Sequence, residues 1–231
     1  MHAQAVVSRA APPIAFRPDL APQGGSQGSD VLASSLDSLS TRLTFERNEE
    51  IFGEGEPADH LYKVTRGTVR TFRMLDDGRR QVVAFHLAGD VFGLETGGTH
   101  RLSAEAVDLV QVQSISRSGL LQRVARDSRL AHLLWTLTSR ELEATREGLL
   151  RFQHTAQERV AGFLLEMSAR QGGTDSVDLA MTRQDIADHL TLTIETVSRT
   201  LTALTEQGIV DLPSRRRVHL VKRAALSRLY A

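Results

Sequence analysis

The chain has no cysteine. Disulfides, thiolate zinc sites, cysteine-ligated iron–sulfur clusters and thiol nucleophiles are therefore excluded. Aromatic side chains make up only 5% of its 231 residues, and Lys63 and Lys222 are its only lysines, so arginine carries nearly all the positive charge. Net charge is absent too, with 28 basic side chains against 28 acidic ones. That balance excludes a uniformly basic, histone-like coat, yet it leaves a local basic surface open because net charge averages over the chain. No run approaches the ~18 apolar residues of a membrane-spanning helix, so no membrane partner is expected. Arg9 is followed by Ala10-Ala11-Pro12-Pro13 where a signal peptide needs an apolar stretch, and a cytoplasmic location is expected. Glycine-rich phosphate loops, nucleophile elbows and metalloprotease helices are missing, which argues against an enzyme. His60, His86, His100 and His132 lack close ligand spacing and read as structural histidines, so no metal is expected. Asp76 and Asp77 are explained by a turn, not by paired-carboxylate catalysis.

What is present falls into four stretches. Residues 1–30 are rich in Ala, Pro, Gly, Ser and Gln, too polar and irregular to offset the entropy of ordering, and predict a mobile tail. From about Leu36 to Ile115, glycines at 55, 67, 78 and 89 punctuate short strand patterns, as in an all-β sandwich or barrel. Asp76-Asp77-Gly78 between Val69–Met74 and 81–86 is a hairpin signal. Residues 80–86 place Val83 and Phe85 on one face and Val82 and Ala84 on the other, as in a strand buried on both sides.

Past Arg117 the pattern turns helical, with no proline as far as Arg151. Leu130, Leu134 and Leu137 form one stripe, and Leu142, Leu149 and Phe152 continue on a displaced face. A helix of ~25 residues runs ~37 Å, longer than the β module needs for cover. Such a helix either packs along its own domain or pairs with its copy in a homodimer; the second reading is preferred. A further amphipathic helix follows from Thr155 to about Ala169, with Val160, Phe163, Leu164 and Met167 inward and Gln171-Gly172-Gly173 ending it.

Residues 183–207 carry two short helical patterns around a tight 191–193 turn. Ile186, Ala187 and Leu190 belong to the first, and Ile194, Val197, Leu201 and Leu204 to the second, as in a helix-turn-helix. On the second, the apolar four centre ~140° away from Glu195, Ser198, Arg199 and Thr202. Those polar residues suit a major groove: arginine can donate twice to guanine, glutamate can accept from cytosine, and serine can reach a base edge or a phosphate. Two strands, 209–212 and 218–221, flank Pro213-Ser214-Arg215-Arg216-Arg217, a wing whose tip arginines would meet phosphate. Residues 183–231 hold eight basic and five acidic side chains, so this segment is +3 and the remainder −3.

Three blocks of sequence give the chain a family resemblance over roughly residues 40–230. They are Gly55-Glu56-Pro57-Ala58-Asp59 continuing to Gly67-Thr68-Val69, Ala84-Phe85-His86-Leu87-Ala88-Gly89-Asp90-Val91-Phe92-Gly93, and Glu195-Thr196-Val197-Ser198-Arg199. With them the chain resembles the CRP/FNR superfamily of bacterial transcription regulators. The resemblance implies an α+β fold: a cyclic-nucleotide-binding-like β-roll (a jelly roll) over 31–116, a dimerisation helix over 117–153 and a winged helix-turn-helix over 154–231. It implies a homodimer on double-stranded DNA with a TTGAT-N4-ATCAA palindrome, and RNA polymerase as partner. Glu195, Ser198 and Arg199 would touch bases. Thr182, Arg183, Thr193, Thr202, Arg215, Arg216 and Arg217 would touch phosphates, and Leu130, Leu134, Leu137, Leu142 and Leu149 would line the dimer interface.

Departures from the family pattern narrow this further. Cyclic-AMP binders carry Gly-Glu-Leu and Arg-Ser-Ala or Arg-Thr-Ala, whereas this chain has Gly93-Leu94-Glu95 and Arg101-Leu102-Ser103-Ala104. A displacement by one residue on a strand turns the arginine to the opposite face. Without cluster cysteines, what remains resembles the FixK branch, implying an activator of microaerobic or nitrogen-fixation genes with no cofactor. Thr191 stands where the family turn usually has glycine, at a cost of about 1 kcal/mol if that position needs positive φ. The alternatives are a regulator gated by haem or a cyclic nucleotide, the regulatory subunit of an enzyme, and a structural or partner-binding protein. The winged segment leaves no room for a catalytic domain.

Overall fold

The computed structural model describes residues 40–95, 97–150 and 154–230, with side chains omitted at 133, 140, 141 and 143–150. The tail expected over 1–30 and the side chain of Leu149 lie outside the described residues.

The β module is a roll of two four-stranded antiparallel sheets. One runs in the order β1 (Ser40–Phe45), β8 (Val110–Ser116), β3 (His60–Arg66), β6 (Val91–Phe92). The other runs β2 (Glu50–Phe52), β7 (Ser103–Ala106), β4 (Val69–Met74), β5 (Arg80–His86). Alternation along the strands sorts the side chains. Tyr62, Val64, Val110 and Val112 point inward with Phe52, Val69, Phe92, Ala104 and Ala106, while Leu61 and Ile115 point outward. The β4–β5 turn closes at Gly78 (φ +80°), where an L side chain would be strained.

Strand β5 departs from the expected alternation. Thr71 pairs with Ala84 and Phe72 with Val82, so Val83 is an unpaired bulge residue and is exposed. The bulge lets Val82 and Phe85, three residues apart, share the outer face, where both are buried against the C-terminal half of the chain. The expected faces, Val83 with Phe85 and Val82 with Ala84, are thus corrected: the bulge breaks the alternation, puts Val82 with Phe85 and leaves Val83 exposed.

The helical stretch after the roll is two helices, α1 (Arg117–Val124) and α2 (Ser128–Leu150), not the single helix expected. Between them the amides of Arg126 and Asp127 bond to the Arg123 carbonyl, and the Asp127 carboxylate accepts from the Arg129 amide to start α2. Leu130 lies 1% exposed among Leu61, Ile115 and Leu120, with Leu134 packed against them. Leu130 is therefore part of its own chain's core, a correction to its place in the expected dimer seam: a side chain already buried has no area left to offer a partner.

The C-terminal unit contains α3 (Ala156–Arg170), β9 (Ser176–Asp178), α4 (Arg183–Leu190), α5 (Ile194–Glu206), β10 (Asp211–Ser214), β11 (Arg217–His219) and α6 (Arg223–Tyr230). Helix α3 starts with a Thr155–Glu158 capping box and buries Val160, Phe163, Leu164 and Met167, as its periodicity predicts. The wing is a three-stranded sheet, β10-β11-β9. Its strands are shifted from 209–212 and 218–221, and β9 had no clear sequence signal. No described helix is long and apolar enough to cross a membrane.

Candidate nucleic-acid interface

Helix α4 is bounded by side-chain chemistry at both ends. At its start the Thr182 hydroxyl accepts from the Asp185 amide (3.1 Å), while the Asp185 carboxylate takes both the Thr182 amide (2.9 Å) and hydroxyl proton (2.7 Å). This box spends the donors of Thr182, leaving only lone pairs, which a phosphate repels. Thr182 is thus a cap, a correction to its expected phosphate role. At the other end Thr191 adopts the left-handed conformation (φ 56°, ψ 47°), so the turn does demand positive φ of a β-branched residue. The exposed carbonyls are accounted for: Ala187 accepts from the Leu192 amide, Asp188 from Gln81 Nε2 (2.8 Å), and Leu190 from Arg159 (3.1 Å).

Thr193 caps α5 by accepting from the Thr196 amide (3.2 Å). Val197, Leu201 and Leu204 are buried, whereas Ile194 is 36% exposed at the helix's first turn, less inward than its spacing suggests. On the opposite side Glu195, Ser198, Arg199 and Thr202 are all exposed, together with Thr193. Glu195 and Arg199 have no hydrogen bond or ion pair among the described residues. The Thr202 hydroxyl donates to the Ser198 carbonyl within the helix (3.1 Å).

The wing arginines are exposed but not equivalent. Arg217 is paired with Asp178 (2.8 Å), which holds it charged and raises its pKa. Arg215 and Arg216 occupy the turn between β10 and β11. Arg183, on the first turn of α4, has a buried Nη1 with no hydrogen-bond partner among the described residues, and burial lowers its pKa. A guanidinium short of a partner next to a helix N-terminus is uncompensated in the free chain and suited to an incoming anion.

The inside of the roll is filled by rings. Phe52 stacks on His100 (centroids 3.6 Å apart) and on Tyr62, and His86 stacks on Phe92. Glu95 is bonded to His100 (3.3 Å), and Thr71 to His86 (3.1 Å). Burial holds His86 neutral, with its pKa lowered to about 4. Arg101 lies exposed in a bend before β7, so the face argument made for a strand position does not apply to it.

Sequence reasoning missed two features. Along α2, Ala131, Trp135 and Thr138, which were not among the expected interface residues, are exposed in line with the expected Leu142, Trp135 at 71% and Leu142 at 52%. Their 4-3-4 spacing is a heptad seam, a signal overlooked because leucines drew the eye. The second is the bond network from the roll to Asp185 and Asp188. Thr182-x-x-Asp185 hinted at the cap, but nothing local in sequence pointed to partners more than 100 residues away.

Comparison with known proteins agrees with this geometry. Residues 158–229 match the Crp-like helix-turn-helix domain, and residues 42–127 match the cyclic nucleotide-binding domain. The nitrogen fixation regulation protein FixK of Azorhizobium caulinodans is 50% identical over 203 residues, covering 85% of this chain and 82% of that protein. FixK of Rhizobium meliloti is 40% identical, covering 80% and 85%. The structure of FixK2 from Bradyrhizobium japonicum superposes with a TM-score of 0.80 at 45% identity, covering 83% of this chain and 98% of that one.

Proposed function

This chain belongs to the CRP/FNR superfamily of DNA-binding transcription regulators, in its FixK-like branch, and on that premise we propose that it binds a TTGAT-N4-ATCAA palindrome as a homodimer. In this reading it is a cytoplasmic activator of microaerobic or nitrogen-fixation genes, works through RNA polymerase and carries out no catalysis. The observation that carries it is the reading face of α5, where Glu195, Ser198 and Arg199 stand exposed opposite the buried Val197, Leu201 and Leu204. Arg199 would donate its two bonds to the guanine of each TTGAT, and Glu195 would accept from a cytosine amine. Arg183, Thr193, Arg215 and Arg216 would set the register on phosphates, with Thr202 contributing only as its hydroxyl turns from the Ser198 carbonyl and Arg217 more weakly because Asp178 already holds it.

A palindrome requires two reading heads about 34 Å apart, one helical turn of DNA. The exposed seam on α2 supports pairing with a second copy of this chain. Leaving Trp135 and Leu142 more than half exposed forgoes a large part of the ~1.5–3 kcal/mol that full burial of each would give, which a partner helix restores. The seam we assign is Ala131, Trp135, Thr138 and Leu142, continuing in sequence to Leu149; Leu134 packs against the chain's own roll, and Leu137 is half-buried. The aromatic filling of the roll favours a regulator without a small-molecule effector over a haem- or nucleotide-gated one. Sedimentation equilibrium should give a dimer that Trp135→Glu converts to monomer. A footprint should cover both half-sites of the palindrome at physiological salt; monomeric wild-type protein, or protection indifferent to sequence, would overturn the proposal.

A further inference from the structure

Four charged side chains join the roll to the helix-turn-helix. Arg70 on β4 is buried, and its guanidinium donates to Asp185 Oδ1 (3.0 Å), to Glu105 (2.8 Å) and to Asn48 Oδ1 (3.2 Å). Arg80 on β5 donates to the same Asp185 oxygen (2.6 Å) and, through Nε and Nη2, to Asp188 Oδ2 (3.0 and 2.9 Å). Its guanidinium lies 5.7 Å from the centre of the Phe72 ring. Asp185 is 1% exposed and has both oxygens fully engaged, one by these arginines and the other by the α4 cap.

Around this cluster the contact is apolar and directional. Val82 and Phe85 pack into the C-terminal core, with Phe85 against the rings of Phe163 and His189. The His189 ring donates to the Val82 carbonyl (3.2 Å), and Gln81 caps the Asp188 carbonyl. Arg170 adds a second tie, to Asp90 and to the Phe85 carbonyl. An apolar patch alone fixes no rotation about its normal. Forked guanidinium–carboxylate bonds do, because their geometry is angular and an unpaired buried charge is costly. In the orientation so fixed, the reading face of α5 remains exposed. A cleft of about 750 Å³ separates Leu75 and Arg79 near the hairpin tip from Thr193, Ile194 and Glu195.

We propose that Arg70 and Arg80 are positioning residues for DNA recognition: by holding Asp185 and Asp188 they keep the helix-turn-helix in a DNA-ready orientation on the roll without a bound effector. The two arginines touch no base. They also neutralise the two carboxylates of α4, which would otherwise oppose the approach of phosphates from the helix preceding the reading helix. The proposal rests on the palindrome reading above for its DNA readout only.

The test uses the full chain and three variants, Arg80→Ala, Asp188→Asn and the double variant. Each is measured by anisotropy on a TTGAT-N4-ATCAA duplex and on a random duplex, and by calorimetry without DNA. Each single change is expected to lower the ratio of palindrome to random affinity about tenfold, because loosened heads still find phosphates but seldom sit in register. The double variant should lose no more than the worse single one, since both break one link. Wild type should unfold in one transition and the variants in two, as coupled domains come apart. Unchanged ratios, raised palindrome affinity or additive losses would overturn the proposal, as would a wild type that already unfolds in two transitions. If wild type does not prefer the palindrome at all, the DNA reading fails, and the calorimetry still decides the link. Should Arg80→Ala not fold, Arg80→Lys, which keeps the charge but loses the fork, takes its place.

Discussion

The two helices of the helix-turn-helix treat their polar residues in opposite ways. On α4, Thr182, Asp185 and Asp188 are all engaged within the chain, in a cap and in ion pairs reaching back to the roll. On α5, Glu195, Ser198 and Arg199 face solvent, and Glu195 and Arg199 bond to no described residue. Apart from Arg183, helix α4 is therefore satisfied in the free chain, whereas the proposed reading face of α5 is left open to DNA. Groups that position must be satisfied in the free protein, and groups that read must not be, since breaking an internal bond to make an external one returns little.

This contrast can be broken first at Asp185. Asp185→Ala removes the cap and strands two arginines, and should cost about 3–5 kcal/mol in urea denaturation. The equivalent change on α5, Ser198→Ala, should leave stability within about 0.5 kcal/mol. Acid comes next. The folded pKa of His86 lies at about 4, below its ordinary 6.5, so the unfolded chain binds a proton the native one refuses. Stability from this residue is intact at pH 7 and should fall by about 2–3 kcal/mol as pH drops from about 6.5 to about 4. His86→Gln should flatten that part of the pH profile. At the junction of the helices, Thr191→Gly relieves a left-handed β-branched residue and should stabilise the chain by about 1 kcal/mol in thermal unfolding. The smallest effect belongs to the wing: Arg216→Ala should weaken all DNA sequences alike and reduce the salt slope of binding by about 2, one phosphate contact for each protomer, with no change in folding.

Local rules carried the sequence reading a long way. The Gly78 hairpin, the capped α3 and the helix pair around Thr191 follow from turn chemistry and periodicity within a few residues of each other. What escaped was tertiary. Breaking the 117–151 stretch into α1 and α2 needed no proline, only carbonyls and a carboxylate at 123–129 taking over from the helix ladder. The bulge at Val83 is set by pairing with β4, invisible along β5 alone. Leu130 and Trp135 lie five residues apart on one helix, yet the first is core and the second exposed, because the roll covers only one side. At the site, the exposed polar face of α5 was legible since amphipathic spacing marks it. The residues that orient them were not, because Arg70 and Arg80 look like any arginine on a strand until the chain brings them to Asp185.

The most direct test of base reading by a free face on α5 is a cycle that crosses protein with DNA. Wild type and Arg199→Ala are each titrated against the TTGAT-N4-ATCAA duplex and against one with each TTGAT guanine replaced by adenine and its partner by thymine. If Arg199 reads that guanine, either change alone should weaken binding by about 1–3 kcal/mol per half-site, about 2–6 kcal/mol for the dimer, and making both should cost little more than one. Fully additive losses would mean that Arg199 acts elsewhere on the duplex, and would contradict the account.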